Sequence, residues 1–195
     1  ITDEFGIFTI TVTGATTIEL SGNAPDFAFT ATVTLLQGAN TIVATATDIV
    51  NNVGTDSIEV IYDNVPPVIT IILPDDGTTT GQMEITVTGT VTDAYGTPAV
   101  TITGTDTVII EALGVGLYAF TATVTLVEGT NTIVATATDN AMPANVGTDS
   151  IVVYRDMTAP VVSINSPIDG YISGTDTIVI MGSVTDASNN TSVIV

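Results

Sequence analysis

Phe120-Thr121-Ala122-Thr123-Val124-Thr125-Leu126 puts every apolar side chain on one face of an extended chain and every Thr on the other. Strand residues alternate between faces with a period of two, so this segment reads as a β-strand with one dry and one wet face. Ile85, Val87, Gly89 and Val91 stand in the same relation to Thr86, Thr88, Thr90 and Thr92. Working outward, the pattern predicts strands over 67–73, 83–92, 98–103, 106–111, 117–126, 131–138 and 148–154. Turn chemistry separates them, as in Pro74-Asp75-Asp76-Gly77, Gly104-Thr105-Asp106 and Glu128-Gly129-Thr130-Asn131. Seven short strands in one domain-sized stretch predict an all-β fold, an immunoglobulin-like (fibronectin type III-like) seven-stranded β-sandwich. No stretch carries helical periodicity.

The same letters occur twice. FTATVTL recurs at Phe29–Leu35, NTIVATATD stands at Asn40–Asp48 and Asn131–Asp139, and VGTDSI at Val53–Ile58 and Val146–Ile151. Pro66-Pro67-Val68-Ile69-Thr70-Ile71 maps onto Ala159-Pro160-Val161-Val162-Ser163-Ile164. The period of 91 to 93 residues is that of a small domain and too long for a solenoid repeat. Residues 65–157 then form one complete Ig-like repeat. Residues 1–64 match Val91–Met157 and form a partial repeat without the first strands, while 158–195 match Val65–Ile102 and supply first strands only. Two explanations stand: a slice of a longer tandem array, or copies that complete each other by strand addition.

Composition removes most chemistry. The 195 residues carry 21 acids and one base, Arg155, for a formal net charge of −20, with no His, Cys, Lys or Trp. Ser-His-Asp and Cys-His systems need an imidazole, Schiff bases need an amine, and zinc sites usually need His or Cys. A uniformly acidic chain also repels nucleic acid. Yet 45% of residues are hydrophobic and Thr makes up a fifth, so this is a folded chain rich in strand formers, not an acidic tail. No apolar run approaches the ~20 residues of a membrane helix.

Asp156-x-Thr158-Ala159-Pro160-x-Val162-x-Ile164, Ser166-Pro167-x-Asp169-Gly170, the Gly-Ser/Thr-Val-Thr-Asp of 182–186 and 89–93, and Leu126-x-Glu128-Gly129-x-Asn131-Thr132-Ile133 carry a resemblance. With Ala137-Thr138-Asp139 they resemble the bacterial Ig-like tandem repeats of large surface adhesins and extracellular fibres. They are also similar to the accessory sandwich domain of glucodextranase-type enzymes. The resemblance implies an extracellular or cell-surface array, often stiffened by Ca²⁺ held on linker and loop carboxylates. Where that pattern has Ala-Gly-Asn after Ala-Thr-Asp, this chain has Ile49-Val50-Asn51-Asn52 and Asn140 to Asn145.

The sandwich topology itself groups the acids. The linker before the first strand and the ends of the second and sixth strands share a pole, which brings Asp63, Asp93 and Asp139 together, near Asn64 and Asn145. The counterpart in the next repeat uses Asp156 and Asp186, and that in the preceding one Asp3 and Asp48. Clustered carboxylates repel unless a cation joins them, and Ca²⁺ accepts six to eight oxygens in flexible geometry. The competing reading is that these Asp residues are turn formers and caps; Asp56 and Asp149, inside the repeated GTDSI, are expected as turn residues.

Other motifs fail on context. Gly114-Val115-Gly116-Leu117-Tyr118-Ala119 fits G-x-G-x-x-A but leads into a strand, with no helix to receive a pyrophosphate. Tyr95, Tyr118 and Tyr171 read as packing residues before they read as a sugar platform. Asn189 and Asn190 open overlapping glycosylation sequons. The expectation is a structural, non-catalytic segment of an adhesin stalk or filament, with neighbouring repeats or copies of itself as partners, no nucleic acid and no membrane span in this segment. The alternative is an accessory spacer or carbohydrate-binding module of a secreted polysaccharide-active enzyme.

Overall fold

The computed structural model describes residues 7–186, and all their regular structure is strand. In chain order the elements are β1 (Ile7–Val12), β2 (Ala15–Asn23), β3 (Asp26–Val33), β4 (Gly38–Asp48), β5 (Val53–Tyr62), β6 (Val68–Leu73), β7 (Thr78–Thr80) and β8 (Glu84–Thr92). They continue with β9 (Ala99–Ile102), β10 (Val108–Gly114), β11 (Leu117–Thr125), β12 (Gly129–Thr138), β13 (Val146–Arg155), β14 (Val161–Ser166) and β15 (Met181–Thr185). Two compact units result. The first holds the described residues up to Pro66 with loops 95–97 and 139–145; the second holds 67–94, 98–138 and the described residues from 146 onward.

In the second unit β10-β11-β8-β6 form one four-stranded sheet and β7-β13-β12-β9 another. This is the immunoglobulin-like sandwich, with neighbours in each sheet antiparallel except at β7. The alternation read from the sequence becomes the core: Val87, Val91, Phe120, Val124, Ile133, Ala135, Ala137 and Val153 are each at most 2% exposed, and Thr fills the outward positions of β11. Burying a Phe or Val side chain contributes about 1.5–3 kcal/mol, so these residues dominate the unit's stability.

Two glycines let backbones approach. A Cβ on Gly89 would lie 2.1 Å from the Thr70 carbonyl and 2.4 Å from the Phe120 ring; one on Gly147 would lie 1.9 Å from the Pro67 carbonyl. The Leu-x-Glu-Gly-x-Asn stretch also has a physical reason. Asn131 Oδ1 accepts from Val127 N at 2.8 Å while its Nδ2 donates to the Val127 and Gly129 carbonyls, closing the turn into β12. Asn40 does the same for β4 with Leu36 and Gly38.

Three expectations need correction. Thr78–Thr80 forms β7, which pairs parallel with β13 and was not expected, because an all-Thr triplet shows no alternation. The strand expected over 106–111 is shifted, as β10 runs from Val108 to Gly114 and turns at Gly116 into β11. Asp56 and Asp149 are not turn residues: they lie within β5 and β13. Asp149 Oδ2 accepts the Ile71 amide at 2.7 Å and so fastens β6 to the opposite sheet, while Asp76 Oδ1 accepts the Val152 amide at 2.7 Å.

The first unit has the sheets β1-β4-β5 and β2-β3. Its registers repeat those of the second: Ile42 faces Ile58 as Ile133 faces Ile151. Among its described residues, however, no strand corresponds to β6 or β8. An apolar groove of about 600 Å³ lies between the sheets, lined by residues of β1, β3, β4 and β5. Farther along, β14 and β15 pair as β6 and β8 do, with Ile164 opposite Gly182 as Ile71 is opposite Gly89. Ile164 is 68% exposed where Ile71 is 9%.

Candidate metal centre

Asp63 follows β5, Asp93 follows β8 and Asp139 follows β12, and one carboxylate oxygen of each lies within 4.8 Å of the others. Asp93 and Asp139 are buried and Asp63 half-buried. Three acids this close fit a hard cation, since every donor is an oxygen and Ca²⁺ takes oxygen ligands.

Asp139 is held by its own loop. Its Oδ1 accepts the amides of Ala141 at 3.1 Å and Asn145 at 2.8 Å, and its Oδ2 accepts Asn145 Nδ2 at 2.7 Å. Asn145 Nδ2 also donates to the Asp63 carbonyl at 3.2 Å. Burial works to raise the pKa of Asp139, but the bonds from the Asn145 side chain, its amide and the Ala141 amide outweigh it. The carboxyl therefore titrates below its ordinary 3.8. Asp63 Oδ1 accepts from Gln37 Nε2 at 2.9 Å and from the Val65 amide at 3.0 Å. The Asp93 amide donates to the Gly116 carbonyl at 2.9 Å.

The remaining candidates are placed differently. Asp48 is half-buried and accepts the Val50 amide at 2.8 Å, the Asn52 amide at 2.7 Å and Asn52 Nδ2 at 2.7 Å. Burial again works upward and the bonds from Asn52 and Val50 win, so its pKa is also lowered. Asn52 and Asn145 thus play one role at the ends of loops of different length, which is why the period lengthens from 91 to 93 residues across them. Asp156 and Asp186 are half-buried, and Asp156 Oδ1 accepts the Thr158 amide at 2.9 Å. Among the described residues no second trio of acids comes together. Asp3, Asn189 and Asn190 lie outside the described residues. The sequence places Asn145 near the acids without a role; the Asn that closes each loop, four residues after Asp48 and six after Asp139, is the signal that marks it as the organiser of the loop.

Residues 67–155 match the family described as Glucodextranase, domain B. No curated protein matches the chain. Among solved structures the chain is similar to the Clostridium thermocellum CbhA fibronectin(III)-like modules, at 19% identity over 72% of this chain and 78% of that one, with a TM-score of 0.37. It is similar to the Protocadherin GammaB4 extracellular domain at 14% identity, over 80% of this chain and 28% of that one, with a TM-score of 0.39. Protocadherin Gamma B2 extracellular cadherin domains 3-6 give 14% identity, 90% and 47% coverage and a TM-score of 0.38. The chain spans less than half the length of either protocadherin chain. No helix of the described residues is long and apolar enough to cross a membrane. The second unit is an all-β, immunoglobulin-like sandwich, and what it resembles by sequence is the B domain of glucodextranase.

Proposed function

We propose that this chain is a non-catalytic, extending segment of an extracellular surface array or filament, stiffened by Ca²⁺. The observation that carries the reading is the tandem repetition. Letter-identical segments build identical strand pairings twice, which lengthens a molecule without adding a site. The composition supports it, since the chain has no imidazole, no thiol and no Lys amine. Asp63, Asp93 and Asp139 would hold the cation, with the Asn145 side chain keeping Asp139 oriented toward it. A bound Ca²⁺ would supply charge neutralisation to three clustered carboxylates. At ten times its Kd such a site adds roughly 1.4 kcal/mol, small for a fold but enough to restrain a linker.

Titration calorimetry with CaCl₂ at millimolar concentration tests the metal, with scattering in Ca²⁺ or chelator testing the stiffening. Binding that is lost in Asp93→Ala, and greater flexibility under chelation, are the expected results. No heat at millimolar Ca²⁺ would reduce the trio to capping groups. The match over 67–155 favours a second reading, an accessory module of a polysaccharide-active enzyme. Retardation of the chain in gels containing soluble polysaccharide would favour it over the array.

A further inference from the structure

Arg155 is the single Lys or Arg in the sequence, so Arg155–Asp156 is the one peptide bond of these 195 residues that an arginine-directed endoprotease can cut. Such an enzyme takes its substrate as an extended strand with free main-chain groups and draws the guanidinium into an acidic pocket. The folded second unit denies both. Arg155 ends β13 and is paired on either side, with Gly129 of β12 and with Thr80 of β7. The amide of the scissile bond is itself in use, since Asp156 N donates to the Thr80 carbonyl at 2.9 Å. The guanidinium is engaged as well: its Nε is buried, and Nη2 donates to Met157 Sδ. Beyond the bond, Met157 N donates to Glu128 Oε1 at 3.2 Å and Thr158 N to Asp156 Oδ1 at 2.9 Å.

The strand that covers this bond is slight. β7 consists of Thr78, Thr79 and Thr80, with no large apolar side chain to anchor it, whereas β12 on the other side carries the buried Ile133, Ala135 and Ala137. What fastens β7 is a clasp of hydrogen bonds at each end. At the front, Asp76 Oδ1 accepts the Val152 amide at 2.7 Å and Gly77 N donates to the Val152 carbonyl at 2.8 Å, so both main-chain groups of Val152 are taken. At the back stands the bond from Asp156 to Thr80, whose Oγ1 also accepts the Gln82 amide at 3.1 Å. Segments with few apolar contacts open first. We propose that Arg155–Asp156 is a conditional processing site for an arginine-directed serine protease, and that β7 is the strap that shields it. Opening of the strap releases the Asp156 amide and one edge of β13. Acylation of the protease serine then breaks the bond between the Arg155 carbonyl carbon and the Asp156 nitrogen, which leaves protonated as a new amine; water releases Arg155 as a carboxylate. The cut follows the last residue of β13, so β6 to β13 stay in one piece.

Timed digestion of the 195-residue chain with trypsin, followed by intact mass, tests the strap. A peptide spanning residues 150–160, digested under the same conditions, supplies the unshielded rate. The folded chain should be cut once, at 155–156, and at least about a hundredfold more slowly than the peptide, because cleavage tracks the open population. Low urea should barely alter that ratio, since a three-residue strap exposes little surface on opening. Asp76→Ala removes the front clasp and should speed cleavage roughly three- to tenfold. Asp76→Asn keeps the acceptor oxygen and should restore most of the protection. Asp75→Ala keeps the carbonyl that Thr78 uses and should leave the rate unchanged. Three results overturn the proposal: a folded chain cut as fast as the peptide, a rate that rises with urea as steeply as global unfolding does, or a rate indifferent to Asp76→Ala.

Discussion

Thr41 to Ala46 and Thr132 to Ala137 are the same six residues in the same strand with the same partner, yet they live in different surroundings. Ile133, Ala135 and Ala137 are at most 1% exposed, while Ile42, Ala44 and Ala46 are only half-buried. The contrast is sharper on the next strand, where Ile151 is 7% exposed and its equivalent Ile58 is 61% exposed. Local sequence therefore specifies strand and register here, and burial is contributed by β6 and β8, more than 40 residues away along the chain. A pair of identical segments is an internal control, because propensity and local turn chemistry cancel in every comparison between them.

Replacing the paired phenylalanines should give the largest split. Phe120→Ala removes a fully buried ring and leaves a cavity, at about 3–5 kcal/mol. Phe29→Ala removes a ring already 38% in water and should cost less than about 1.5 kcal/mol. Denaturant unfolding followed by amide exchange assigns each loss to its unit. Equal costs would mean that the first unit carries a closed core after all.

The glycine pair comes next. Gly147→Ala drives a methyl into the Pro67 carbonyl and should destabilise the second unit by about 1–3 kcal/mol, through displaced backbone. Gly54→Ala meets open space and should be neutral or slightly stabilising, since it restricts the unfolded chain. Below that in size lies Asp149→Ala against Asp56→Ala. The first strands the Ile71 amide in a part-buried position, at about 1–3 kcal/mol, and the second should stay within about 0.5 kcal/mol. Thermal melts of the four variants would settle the order.

The legible part of the fold was the part written in alternation. FTATVTL and its neighbours announce a half-buried strand, and residues 120–125 lie in β11 with Phe120, Ala122 and Val124 buried. What stayed hidden was long-range. β7 is three Thr residues whose pairing is decided by an edge of β13, and Asp149 sits in a GTDS tetrapeptide whose local reading is a turn. Its true partner lies 78 residues away. For the acids, strand polarity alone puts Asp63, Asp93 and Asp139 at one end, and their oxygens do lie within 4.8 Å. The asparagines that orient Asp48 and Asp139 follow from the two copies only once the unequal loops are aligned on them.

Those two loops give the smallest and most discriminating comparison. Asp48 and Asp139 each collect three hydrogen bonds from a loop ending in Asn, and each titrates below its ordinary 3.8 in the folded chain. A depressed folded pKa favours the folded state above the unfolded pKa, and the contribution disappears as pH falls through the folded value. Without metal, both loops should therefore loosen together below about pH 4, seen as faster exchange of the Asn52 and Asn145 amides. Millimolar Ca²⁺ should break the symmetry. Asp139 has two further acids within reach and should be pushed lower still, whereas Asp48 has no such trio among the described residues and should titrate as before. Carboxyl-carbon NMR titration with and without Ca²⁺ reads both at once. Parallel shifts of the two groups would mean that the ion acts only by screening, and that the three clustered acids do not form a site.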